Sequence, residues 1–154
     1  MADLEVRPSS DADIERVELL IADGLARLHT LRGGGALLET LGVGDDASPA
    51  ALARAVCAGP RDDVLGYVAV LEAAVVGVAV AVREPRCLTV VAVHVARSLR
   101  RRRIGSALID ALGGVASTEG VRLEAVALPG DQTTKSMFEA AGFRARLLRL
   151  SVER

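Results

Sequence analysis

The sequence predicts an α/β (α+β) fold, a central mixed but mostly antiparallel sheet of about six strands flanked by about four helices. Three observations predict it. Two valine-rich runs, residues 64–71 and 75–83, meet near Glu72 and read as a hairpin of buried strands. Ile104, Ala107, Leu108, Ala111, Leu112 and Val115 recur at helical spacing directly after a third apolar run at 88–95. A further apolar run at 121–128 follows that helix, so the second half contains a strand–helix–strand crossover.

The elements follow in order. Residues 4–7 form a short first strand, and Ser9 or Ser10 caps a helix with the stripe Ile14, Val17, Ile21, Leu25 and Leu28. The glycine-rich stretch 32–49 reads as a connection with a short helical piece inside. Ser48 followed by Pro49 starts a second helix, which Gly59 and Pro60 stop. Pro85 breaks the chain between the second and third apolar runs, and Gly120 ends the third helix. Pro129-Gly130 is a turn, Asp131 caps a fourth helix, and Gly142 terminates it. Residues 144–152 are expected to close the chain as a sixth strand. No internal repeat or linker interrupts this order, so residues 1–154 are expected to form one domain.

Composition narrows the function classes. With 51% hydrophobic and 25% charged residues the chain is globular rather than disordered. The net charge of -1 and the 2% aromatic content argue against nucleic acid as a partner, since neither a basic field nor stacking platforms are present. Residues 64–82 are long and apolar enough to mimic a membrane span, but Glu72 at the centre would cost about 3 kcal/mol in lipid. The valine content fits pleated strands instead, so no membrane association is expected. Cys57 and Cys87 lack the spacing of a zinc or redox motif, and no signal peptide is apparent; the expectation is a cytoplasmic protein with reduced thiols. Two histidines without paired carboxylates or cysteines make no metal site.

Charge is nevertheless concentrated at one place. Arg100, Arg101, Arg102 and Arg103 are consecutive, and they lie between the third apolar run and the amphipathic helix. The first turn of a helix leaves backbone N–H groups unpaired and carries partial positive charge. Ile104-Gly105-Ser106 would open that helix, with Gly105 giving backbone access and the Ser106 hydroxyl adding a donor. Guanidinium groups at the rim suit phosphate. The segment therefore reads as an anion cradle sized for a diphosphate. It is no P-loop, because the lysine of that motif is absent, and no serine sits in a Gly-x-Ser-x-Gly elbow.

The segment 93–109, beginning Val93-His94-Val95-Ala96-Arg97, resembles motif A of the GNAT acyltransferase superfamily. There a strand valine leads through a proline-containing turn to Gln/Arg-x-x-Gly-x-Gly/Ala. Arg100 aligns with the Gln/Arg, Arg103 with the first glycine and Gly105 with the last, while Arg97 stands for the proline. A second register, from Arg102 through Gly105 to Ala107, also matches. Residues 131–143 are similar to motif B, Asn-x-x-Ala-x-x-x-Tyr-x-x-x-Gly-Phe, with Asp131 in the Asn place, Phe138 in the Tyr place and Gly142-Phe143 matching directly. The opening residues 4–20 look like the family's strand-plus-helix start.

The resemblance implies a GNAT-like fold and acetyl-CoA as the acyl donor. It places the diphosphate on Arg101 to Ser106, with Arg100 alongside, and the pantetheine arm along Val93, His94 and Val95; Asp131 and Phe138 would border the site. It further implies transfer of acetyl to a primary amine, of a small molecule or a protein, by direct attack in a ternary complex, and a homodimer. Such transfer needs a neutral amine, a stabilised oxyanion and relief of the leaving thiolate. Glu124 lies in Leu123-Glu124-Ala125-Val126, similar to a segment that carries a base in some relatives, and His94 titrates near neutrality. Both are candidate bases. Glu84 and Glu39 are candidates for the acceptor side. Phe138 has no proton to give where the family often has a tyrosine. That gap keeps open the alternative of a non-catalytic acyl-CoA-binding or regulatory module.

Overall fold

The computed structural model of the chain describes residues 3–32, 34, 48–59, 63–150 and 152. Its elements are β1 (Leu4–Pro8), a 3-10 turn (Asp11–Asp13), α1 (Ile14–Thr30), α2 (Pro49–Cys57), β2 (Val64–Leu71), β3 (Ala74–Glu84), β4 (Cys87–Val95), a second 3-10 turn (Arg97–Leu99), α3 (Ile104–Glu119), β5 (Arg122–Ala125) and α4 (Gln132–Ala140). The sheet runs β1-β2-β3-β4-β5, antiparallel up to β4 and parallel between β4 and β5. The parallel pair is joined through α3, the crossover expected from the helical spacing after the third apolar run.

Local chemistry explains the boundaries. β2 and β3 meet in a two-residue turn whose residues, Glu72 and Ala73, both have positive φ (50° and 63°). This is the twist that tight hairpins require, here adopted without glycine. Ser48 Oγ accepts the Ala51 amide at 3.1 Å, and Pro49 occupies the first turn of α2. Ahead of α1, Asp13 accepts the Ser10 amide at 2.8 Å and a two-pronged Arg7 guanidinium at 2.8 and 2.9 Å. Gly120 and Gly142, at φ 69° and 94°, end α3 and the turn after α4.

The core has two layers, one on each face of the sheet. Ala69, Ala79, Ala81, Leu88 and Val90 pack against Ile104, Leu108 and Leu112 of α3 and Phe138 of α4. Val68, Val75 and Val78 pack against Val17, Leu20 and Ile21 of α1 and Ala53 and Cys57 of α2. Cys57 and Cys87 are both free thiols. Residues 64–82 are two strands of this sheet, and among the described residues no helix is long and apolar enough to cross a membrane.

Two expectations differ from the structure. The strand expected at 121–128 is confined to Arg122–Ala125. The sixth strand expected at 144–152 is absent among the described residues, which are irregular there and expose Leu147, Leu148, Leu150 and Val152. A strand exists only against a partner edge, and β5 offers just four residues. The alternation of apolar side chains at 148, 150 and 152 describes a segment suited to pairing rather than one that is paired. The expected connection at 32–49 lies largely outside the described residues, as does Glu39.

The Arg7–Asp13 pair yields a pH prediction. Arg7, chiefly, holds the Asp13 carboxyl below its ordinary value; burial opposes this and the Ser10 amide adds to it. A depressed carboxyl contributes stability above its unfolded pKa of about 3.9, lost as pH falls through the folded value. Asp13→Ala should therefore destabilise the chain by about 2 kcal/mol at pH 7. In urea denaturation the gap to the unmodified chain should close as pH drops below about 4.

Candidate cofactor and acyl-transfer site

The site begins where the sheet opens. β4 and β5 are paired only from Cys87↔Arg122 to Val90↔Ala125, with one more bond from the Val126 amide to the Val90 carbonyl at 3.1 Å. Immediately after, the β3–β4 register shifts: Ala81 faces Val90, Val80 faces Ala92, and Val91 is the extra residue of a bulge. Val91 to Val95 therefore lie on a strand with no neighbour on its outer side among the described residues, and all five side chains are only partly buried. This edge leads through the Arg97–Leu99 turn to the start of α3.

That start is an uncapped helix N-terminus. Arg103 occupies the N-cap position with φ 61° and ψ 14°, and its side chain makes no capping bond. Arg101 also has positive φ, 65°. Left-handed backbone at two arginines is costly, and such turns align successive amides toward a common point, an anion-binding nest. Arg103, the position set against the first glycine when Arg100 and Gly105 are aligned with the motif, is thus one of two arginines here in left-handed backbone. Ile104 and Gly105 are buried, Ser106 is partly buried, and Arg101, Arg102 and Arg103 are exposed. None of those three arginines forms an ion pair with a described residue.

The remaining predicted residues have other surroundings. Arg100, also exposed, turns back along the surface: its Nε donates to the Val95 carbonyl at 3.4 Å and its Nη2 lies 3.5 Å from Asp23. Arg97, in the proline place, binds Asp23 at 2.8 Å. Together they tie the turn to α1. The space beside the Gly105 α-carbon, expected to admit phosphate, is filled by Met137 of α4; a Cβ there would lie 2.7 Å from its Sδ. The glycine thus lets α4 close on α3. Phe138 is buried and packs on Phe143 with ring centroids 5.2 Å apart.

His94 projects to the α1 face, where its ring rests against Gly24; any side chain there would collide with it. Burial lowers the His94 pKa, with Arg27 and Arg100 adding to the effect and Asp23 and Asp131 opposing it. The imidazole is neutral at pH 7, and no described residue hydrogen-bonds to it. Asp131 is buried and caps α4, accepting the Thr134 amide at 3.2 Å. Burial opposes its ionisation, but bonds from Thr134 and Arg27 outweigh that and hold the carboxyl below its usual value.

Glu124 stands apart from this group. It pairs in register with Thr89, is exposed, and lies 3.2 Å from Arg122. Six residues of strand separate Thr89 from Val95, about 20 Å at 3.3 Å per residue. Glu84, on the same end of the sheet, accepts the Thr89 hydroxyl at 2.7 Å and the Cys87 thiol at 3.0 Å. Those two bonds lower its pKa, Cys87 contributing most. The structure thus gathers Val93, His94, Val95, the arginine turn and Asp131 around one opening and leaves Glu84 and Glu124 at the paired end. Asp23, Arg27 and Met137 are the residues that sequence patterns did not single out.

Comparison with known proteins identifies the family and the fold. The model of the acetyltransferase (GNAT) family matches residues 39–143. The chain belongs to the GNAT acetyltransferase family. Similar folds include an aminoglycoside N-acetyltransferase, AAC(6')-Iy, solved with CoA (TM-score 0.74, 15% identity, 100% of this chain and 96% of that one covered). A ribosomal-protein-alanine N-acetyltransferase from Brucella melitensis biovar Abortus 2308 gives 0.72 at 14% identity, covering 99% of both chains. A protein described as a transcriptional regulator from Bacillus halodurans C-125 gives 0.74 at 15% identity, covering 99% and 100%. At these identities the likeness is one of fold. The sequence has no significant match among curated proteins.

The left-handed arginines of this GNAT chain generate a stability prediction. Glycine at 103 would relieve about 1–2 kcal/mol of backbone strain and return about 0.5–1 kcal/mol of it as unfolded-chain entropy. Arg103→Gly should thus match or exceed the unmodified chain in thermal melting, whereas Arg103→Val should melt lower. A lower melting point for the glycine variant would contradict the strained turn.

Proposed function

We propose that the chain is an acyl-CoA-dependent N-acyltransferase that moves acetyl from acetyl-CoA to a primary amine. The observation that carries the reading is the junction of an unpartnered strand edge, Val91 to Val95, with an uncapped helix start flanked by free arginines. An extended arm bearing amides satisfies the first, and a diphosphate satisfies the second. A β4 amide donates to the thioester oxygen and stabilises the oxyanion as the amine attacks. Holding donor and acceptor side by side supplies a large share of the rate, up to about 7–11 kcal/mol.

Of the two candidate bases, His94 has the better position. It lies on the open stretch of β4, on the α1 face, and its neutral ring can take a proton. Glu124 sits where β4 and β5 are still hydrogen-bonded, so no substrate passes between them there. The aminoglycoside and ribosomal-protein acetyltransferases of similar fold are consistent with an amine acceptor of either class. The buried Phe138 sustains the second reading, an acyl-CoA-binding module without turnover, because no proton donor occupies its place.

The test has two stages. CoA and acetyl-CoA should raise the melting temperature while NADH and ATP at the same concentration should not. Thiol release across a panel of amines should then reveal turnover; binding without release on any amine would select the module instead. In a turning-over enzyme, His94→Gln should cost about 10²-fold or more in kcat and remove the acidic limb of the pH profile. Glu124→Gln should leave kcat within about twofold, as expected for an exposed ion-paired glutamate away from the reacting atoms.

A further inference from the structure

The opening beside β4 is bridged on one side by a single ion pair. Arg27, in the last turns of α1, reaches Asp131 at the N-cap of α4: Nη2 lies 2.5 Å from Oδ1 and Nη1 3.4 Å from Oδ2, with Thr134 Oγ1 at 3.5 Å from the same Nη1. The two residues are 104 positions apart in the chain. α1 packs over β3 and β4 on one face, whereas α4 contributes Phe138 to the opposite layer and begins beyond the end of β5. A bond from α1 to α4 must therefore pass the free outer edge of β4. His94, on that edge, is acted on by both partners.

Among the described residues the side-chain bonds between α1 and the start of α4 are those of Arg27. The segment 126–131, between β5 and α4, has left the sheet after the Val126–Val90 bond; the Asp131 amide donates to the Leu128 carbonyl at 3.0 Å, and the Asp131 carbonyl accepts the Lys135 amide of α4 at 3.0 Å. The carboxylate end of the pair is buried while the guanidinium is one-third exposed, so the bridge has one fixed end and one end at the surface.

We propose that Arg27 is a positioning residue of the cofactor groove, clasping Asp131 so that α1 and α4 stand at a fixed distance on either side of the open β4 edge. The inference rests on the reading of that groove as a CoA site. Arg27 does not touch the reacting atoms; it acts through Asp131. With the clasp in place the groove is ordered before the ligand arrives. Without it the ligand must order α4 as it binds, and affinity falls while chemistry at the thioester does not.

Calorimetry of CoA binding to the full chain tests this, with Arg27→Met, Arg27→Lys, Asp131→Ser and the Arg27→Met/Asp131→Ser pair. Serine keeps an N-cap acceptor for α4 but is too short to meet Arg27. Arg27→Met and Asp131→Ser should each weaken CoA by about tenfold, and the double variant should be no weaker than either, because both remove one interaction. Arg27→Lys should recover most of the loss. In steady-state assays at pH 8 the KM for acetyl-CoA should rise by the same factor with kcat within about twofold, a split that general loosening of the fold would not give. Equal or tighter binding by Arg27→Met, or losses that multiply in the double variant, would overturn the clasp while leaving the CoA site intact. An unmodified chain that gives no heat with CoA would sink the proposed function, and the clasp with it.

Discussion

Backbone hydrogen bonding is the constraint on which the rest of this structure depends. Every strand amide and carbonyl needs a partner, and from Val91 onward β4 has given up the one it had on its outer side. The bulge at Val91 and the departure of β5 after Ala125 fall at the same level of the sheet, so the two strands part rather than fray. A protein could cover such an edge with another strand. Here the edge instead runs into the first turn of α3, a second row of unpaired amides. These two sets of unmet donors and acceptors in one continuous path are what the proposed function assigns to an extended, amide-bearing, diphosphate-tailed ligand.

The positive charge around this path is divided between two tasks. Arg97 and Arg100 are spent on Asp23 and on the Val95 carbonyl, fixing the turn between β4 and α3 to α1. Arg101, Arg102 and Arg103 stay at the surface, where guanidinium groups attract phosphate without a desolvation cost. All four arginines of the run are exposed, but Arg100 is tied to Asp23 and the Val95 carbonyl while the other three form no ion pair with a described residue. Two of the run's residues, Arg101 and Arg103, are left-handed. The turn is held from both sides, by the partly buried Val95 and Leu99 before it and the buried Ile104 and Leu108 after it, which pack into one core.

Much of this was legible from the sequence, and the limits of legibility are physical. Helix and strand periods, Ser48-Pro49, Asp131 and Gly120 located the elements because capping and amphipathicity are local. The succession of strand, turn and helix from residue 87 to 119 was legible for the same reason. What stayed hidden depends on contacts between distant segments. The Met137 side chain that fills the space at Gly105 comes from α4, and nothing near Gly105 announces it. Arg27 and Asp23 sit one helical turn apart on α1 and would pass for a local pair, yet each finds its partner on another element. Leu148, Leu150 and Val152 alternate as a strand should, but alternation states only which face is apolar, and pairing needs an edge to receive it.

The same distinction separates His94 from Glu124. Both lie on strands in apolar company, and residue type alone favours neither as a proton acceptor. Register distinguishes their positions: one residue stands where the strands have separated and the other where they are still joined. Gly24 then gives the histidine its place, since only a bare α-carbon on α1 leaves room for the ring. Burial against that glycine lowers the His94 pKa and favours the neutral imidazole, the form that the proposed role as a base requires. The packing of α1 on the sheet and the protonation state of the site are therefore one arrangement, and a side chain larger than hydrogen at residue 24 would disturb both together.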